Sequence, residues 1–157
     1  MQGLASPAVA LWNGHMKPIE FARGAGAGVL ATIVMSAGFL AAQRAGTIGR
    51  LPPRLIVDHV APALPPHFSR IAAAIAHLGY GAAAGTAYAL APRKGIASGV
   101  AYGVVLWACS YEAWVPAAGV LPPAHRDDRS RALTIFAAHL LYGAALGWAS
   151  RRSVPPR

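Results

Sequence analysis

Four long stretches of the chain carry almost no charge and are bounded by short polar or proline-rich segments. They run over approximately 24–42, 71–91, 95–115 and 133–149, and Glu112 is the only charged residue well inside any of them. Each is close to the roughly 20 residues that a helix needs to cross a hydrocarbon core of about 30 Å. None alternates with the period of a barrel strand, and backbone groups in lipid must be satisfied within the element, so the windows predict helices. The pattern predicts an all-α fold, a four-helix transmembrane bundle.

Proline and glycine mark the connections. Residues 1–23 mix Trp12 and Phe21 with Lys17 and Arg23 and are interrupted by Pro7, Gly14 and Pro18. This reads as an interfacial arm rather than a cleavable leader. Gly46 to Ser69 holds Pro52, Pro53, Pro62, Pro65 and Pro66, which predicts an extended cap lying against the membrane. The third connection, with His125, Arg126, Asp127, Asp128, Arg129 and Arg131, predicts a solvated turn with local ion pairs, and 152–157 form a basic tail.

Alignment of the chain with itself adds an internal order. His77-Leu78-Gly79-Tyr80-Gly81-Ala82-Ala83-Ala84-Gly85 returns as His139-Leu140-Leu141-Tyr142-Gly143-Ala144-Ala145-Leu146-Gly147. Gly24-Ala25-Gly26-Ala27-Gly28-Val29 aligns with Gly95-Ile96-Ala97-Ser98-Gly99-Val100, and Gly49-Arg50-Leu51-Pro52-Pro53 with Gly119-Val120-Leu121-Pro122-Pro123. Three matches in the same order predict two parallel-repeat helical hairpins, related by an axis along the membrane normal.

Composition supports a membrane setting. Of 157 residues 55% are hydrophobic and 12% charged, against roughly 25% charged in soluble domains. The net charge of +9 is spread over helix ends and connections rather than gathered on one face, so lipid headgroups are the expected partner and nucleic acid is not. Lys and Arg divide seven to seven between the two sides of a four-crossing topology. Arg93-Lys94 and Arg151-Arg152 favour both termini in the cytoplasm. The single cysteine, Cys109, excludes an intrachain disulfide and reads as a small packed core residue.

The histidines carry the chemistry worth weighing. Gly81 and Gly85, and Gly143 and Gly147, form small-x-x-x-small faces for close helix contact, and His77 and His139 lie four residues before the first glycine of each pair, on the same face. Each follows an arginine, Arg70 or Arg131, by seven or eight residues, about 10–12 Å of rise. The two imidazoles are expected to face inward at one depth, where an ionisable group marks a functional site or a satisfied structural pair. The structural reading has Tyr80 and Tyr142 as local hydrogen-bond partners. The sharper one makes His77 and His139 the axial ligands of a b-type haem. A metal is less well served, because two histidines leave zinc short of its four ligands. Glu112 is expected to pair with Arg44, Arg50 or Arg54, with a relay role as the alternative.

The Gly-rich first helix, Pro-Pro-Arg at 52–54 and the later histidine followed by Tyr-Gly give the chain a family likeness. It resembles the YagU-like group of small bacterial inner-membrane proteins over most of 24–150. The resemblance implies four helices and an inner-membrane location, and it brings no activity. The sequence holds no nucleophile elbow, phosphate loop or catalytic carboxylate pair. Its expected function is therefore that of a non-enzymatic accessory or assembly subunit, with a membrane-protein partner or a second copy of itself. A haem-bearing electron-transfer subunit and a small transporter or channel stand as alternatives.

Overall fold

The structure is a computed structural model that describes residues 18–91 and 95–151. Among these residues it is all-helical. Five helices follow one another: α1 (Pro18–Arg44), α2 (Pro52–Val60), α3 (Pro66–Ala89), α4 (Ile96–Trp107) and α5 (Arg129–Arg151). The third window does not end with α4. It continues through a π-helical stretch, Ala108–Trp114, into one more α-turn, Val115–Ala117.

Two helices, α1 and α5, are long and apolar enough to cross a membrane by length and composition. α3 has the length, with 24 residues, but glycine, tyrosine, Thr86 and His77 dilute its hydropathy, and the π-stretch divides the third window. Residues 18–23, assigned to the arm from sequence, are the first turns of α1. The rest of the arm and the basic tail lie outside the described residues.

Packing is set by glycine. α1 crosses α3, and a Cβ added at Gly28 would overlap the Gly81 carbonyl oxygen and stand 3.0 Å from the Gly85 Cα. α4 crosses α5 in the same way, where a Cβ at Gly99 would overlap the Gly143 carbonyl oxygen and stand 2.8 Å from the Gly147 Cα. Backbones this close gain dispersion and weak Cα–H···O contacts that a side chain would abolish. The two pairs are joined along α1 and α5, which also pack extensively on each other. α3 and α4 do not: aromatic side chains span the space between them, with Tyr88 and Tyr102 rings 5.2 Å apart and the Tyr102 hydroxyl donating to the Ala84 carbonyl at 2.8 Å.

Both α1 and the third helical segment end on a left-handed glycine, Gly46 (φ 74°) and Gly119 (φ 73°). Thr47 N–H donates to Ala42 O at 3.0 Å, and Val120 N–H to Val115 O at 3.2 Å. These are the 6→1 bonds of a Schellman end, which favours glycine because it has no Cβ. A buried apolar residue follows two positions later in each case, Ile48 and Leu121. Gly46, and not the Gly49 that the proline alignment pairs with Gly119, thus has the same end geometry as Gly119.

The connection after α1 is not an extended cap. Pro52 and Pro53 occupy the first helical positions of α2, where a missing N–H costs nothing and φ is already helical. Asp58 ties this short helix down: it accepts a hydrogen bond from the Ser69 hydroxyl and pairs with Arg54 at 3.5 Å and Arg50 at 3.6 Å. The Ser69 hydrogen bond, with the two guanidiniums, outweighs burial and holds the Asp58 carboxyl below its ordinary value of 3.8.

Candidate functional site: a cavity bearing two histidines

Between α2 and the glycine crossings the helices enclose a cavity of about 250 Å³. Its back wall comes from α1 and α5 (Thr32, Met35 and Phe39; Ile135, His139 and Tyr142), and α2 roofs it with Pro52, Pro53, Ile56 and Val57. α3 contributes Ala76, His77, Tyr80 and Gly81, and the third helical segment contributes Leu106, Ser110, Tyr111, Trp114 and Val115. Every residue of the α1 and α5 wall is buried. Ala76, Tyr80 and Trp114 are exposed, so the cavity opens sideways, between α3 and α4.

The π-stretch helps to shape this wall. Val115 lies sixteen residues after the seam glycine Gly99, so in an uninterrupted helix it would stand about 160° away, on the outer face. The wider turns of the π-stretch bring Val115 inward, 5% exposed, and leave Trp114 at the mouth. A π-insertion inside an α-helix often re-aims side chains at a functional site in this way. Cys109 falls on the exposed side of the stretch, which corrects its reading as a core residue.

His77 and His139 both line the cavity. In His139, Nδ1 is 2.8 Å from the Ile135 carbonyl oxygen. A carbonyl only accepts, so the ring proton is on Nδ1 and Nε2 keeps its lone pair. Ser110 Oγ lies 3.4 Å from that Nε2 but donates its one proton to the Leu106 carbonyl at 2.7 Å. In His77, Nδ1 is 3.3 Å from Ser36 Oγ. With the serine hydroxyl as donor, Nε2 carries the N–H. In that tautomer the site presents one imidazole donor and one imidazole acceptor inside apolar and aromatic walls.

The tyrosines take other roles than partners of their neighbouring histidines. Tyr142 is buried and donates to the Gly81 carbonyl at 3.0 Å, tying α5 to α3. Tyr80, with which the sequence alignment pairs it, is 43% exposed and approaches Trp114 across the mouth. Gly81, Gly85, Gly143 and Gly147 all lie in the crossings. Arg54 is engaged by Asp58, and Arg44 sits exposed at the end of α1.

Glu112 is not a cavity residue. It accepts a hydrogen bond from Ala124 N–H at 3.2 Å and faces His125 Nδ1 at 3.7 Å. Among the described residues no ion pair joins it to Arg44, Arg50 or Arg54, so that expectation is overturned. The turn at 118–128 folds back on its own helix and supplies a nearer partner than the first connection. Asp127 is held there by Arg131, in the first turn of α5, and by the Tyr111 hydroxyl. Burial works against the charged Asp127 carboxylate, but these bonds win and its pKa is lowered.

A b-type haem does not fit. The volume is below the roughly 300–1,000 Å³ of ordinary small-molecule and cofactor sites, and a tetrapyrrole is larger than most of their ligands. Nor, among the described residues, do three His, Cys, Asp or Glu side chains gather around one metal position. Sequence reasoning missed Ser36, Phe39 and the α2 roof, because no local spacing announces contacts made across forty residues. Comparison with protein-family models, curated proteins and solved structures gives no match.

Proposed function

We propose that the protein is a four-crossing integral membrane protein of the bacterial inner membrane, with both termini in the cytoplasm, that serves as an accessory or assembly subunit of a larger membrane complex. The observation that carries the membrane part of this reading is the outer surface. Each long helix turns large apolar side chains outward, such as Ile33 (53% exposed) on α1, Ile75 (65%) on α3, Val105 (55%) on α4 and Leu133 (59%) on α5. In water these side chains would leave exposed apolar surface on every long helix, whereas soluble monomers keep such surface in small patches.

The twofold reading is supported by matched contacts. Gly28 against Gly81 and Gly85 has the same form as Gly99 against Gly143 and Gly147, and Gly46 and Gly119 end their segments identically. Both are what two copies of one hairpin, entering from the same side, would retain. The resemblance to YagU-like proteins points to the same location.

The accessory role rests on what the surface and the cavity offer. Each histidine has a serine beside it but, among the described residues, no carboxylate to complete a relay, while Gly26 and Gly79 meet nothing within 4 Å and leave shallow outward surfaces that a neighbouring helix can approach. Cys109, exposed on the outer face, gives the test. A photoactivatable crosslinker attached there and irradiated in native membranes is expected to yield one discrete adduct with another membrane protein. Adducts with lipid or with a second copy alone contradict the accessory role.

A further inference from the structure

The two hairpins are not equivalent where it matters. In a strict twofold bundle the contact of α3 with α4 would repeat that of α1 with α5. Instead α1 and α5 pack extensively while α3 and α4 stand apart, and the asymmetry is local. Tyr142 is buried and bonded to Gly81, whereas Tyr80 stands at an open mouth with Trp114 and Ala76. The mouth opens sideways, and in the four-crossing reading that direction is into the acyl chains, so a ligand would arrive from the bilayer rather than from water.

Inside, the polar groups are few and specific. His139 Nε2 is an acceptor, fixed by the Ile135 carbonyl on its other nitrogen, and His77 Nε2 is a donor in the tautomer whose Nδ1 accepts from the Ser36 hydroxyl. Phe39, Tyr111 and Tyr142 supply aromatic walls, which favour a flat ring by stacked and edge-on contact. An apolar pocket with a few convergent polar groups is the usual form of a small-molecule site.

We propose that this cavity binds the ring of a lipid-soluble quinol, with a ring oxygen accepting from His77 Nε2, a ring hydroxyl donating to His139 Nε2, and the apolar tail leaving between α3 and α4. About 250 Å³ suits a single substituted ring and leaves the tail outside. The assignment is one of binding and involves no electron transfer. It rests on the membrane reading above, through the direction of the mouth.

The test is a fluorescence titration of the full-length protein in nanodiscs with a short-tailed benzoquinol and its quinone, read by quenching of tryptophan, since Trp114 stands at the mouth. Saturable quenching is expected, weakened roughly tenfold by His139→Leu through loss of one buried hydrogen bond, and weakened similarly by Ala76→Phe, which fills the mouth from its exposed side. The second variant leaves the histidines and the core intact, so misfolding of the first does not decide the outcome. Quenching that rises linearly with the quinol-to-lipid ratio and is the same in Ala76→Phe overturns the proposal. Displacement by oleic acid at concentrations equal to those of the quinol also overturns it, because the cavity would then select a chain and not a ring. Helix content of the same samples, and side-specific labelling of the protein in sealed vesicles, separate failure of this proposal from failure of the membrane reading.

Discussion

Replacing Gly28 by alanine adds one methyl group at the tightest backbone approach of the α1–α3 crossing. The new carbon would overlap the Gly81 carbonyl oxygen and lie 3.0 Å from the Gly85 Cα. Neither obstacle is a side-chain tip that can swing away, so the helix axes must part. Overpacking costs typically about 1–3 kcal/mol, and a backbone obstacle places this site near the upper end. Alanine returns about 0.5–1 kcal/mol through its better helix propensity. The expected net loss is about 2 kcal/mol, roughly 30-fold in the folding equilibrium.

Gly99→Ala meets the Gly143 carbonyl oxygen in the same way and should lose the same amount. Gly26→Ala and Gly79→Ala meet nothing within 4 Å and should be neutral or slightly stabilising. Reversible unfolding in mixed micelles, followed by far-ultraviolet circular dichroism, compares the four variants directly. If Gly28→Ala and Gly26→Ala shift the midpoint equally, or if Gly28→Ala and Gly99→Ala differ by more than their uncertainty, close glycine packing is not what joins the helices.

Two further outcomes follow from the same contacts. Tyr142→Phe removes the hydroxyl that bonds Gly81 O across the bundle at 3.0 Å and should cost about 0.5–1.5 kcal/mol in the same unfolding assay. Tyr80→Phe, at the exposed mouth, should cost less than about 0.5 kcal/mol; equal losses would contradict the assigned asymmetry. The docking of α2 should depend on acid in one direction only. The Asp58 carboxyl is held below 3.8 in the folded state, so its contribution is complete above the unfolded value and is lost as pH falls through the folded one. Amide protection at 54–60, taken relative to the intrinsic exchange rate at each pH, should therefore hold from roughly pH 5 to 8 and fall only below about pH 4. Loosening between pH 7 and 5 would point to a histidine instead.

What the sequence made legible was local. Apolar windows fixed where long helices lie, and glycine spacing marked the surfaces that now form the crossings. The spacing of His77 and His139 from those glycines placed them on the packed face, and both line one cavity. Proline was misread, since two prolines opening a segment fit the first turn of a helix as well as an extended strap, and only Asp58 meeting Ser69 shows which holds. Phase was lost in the third helix because a π-insertion has no simple residue signature, so the inward turn of Val115 and the outward turn of Cys109 were hidden. The partners of Glu112 and Tyr142 were hidden for another reason. Spacing along a helix shows which residues share a face, not which atoms across the bundle reach them first.

The number of crossings is the claim on which the rest depends, and Leu90, the exposed residue at the end of α3, decides it. In a Cys109→Ser background, single cysteines at Gly49, Leu90 and His125 can be exposed to a membrane-impermeant maleimide in sealed vesicles of known orientation. Four crossings predict that positions 49 and 125 label from one side and position 90 from the other. If only α1 and α5 cross, all three label from the same side, and that result would contradict the account.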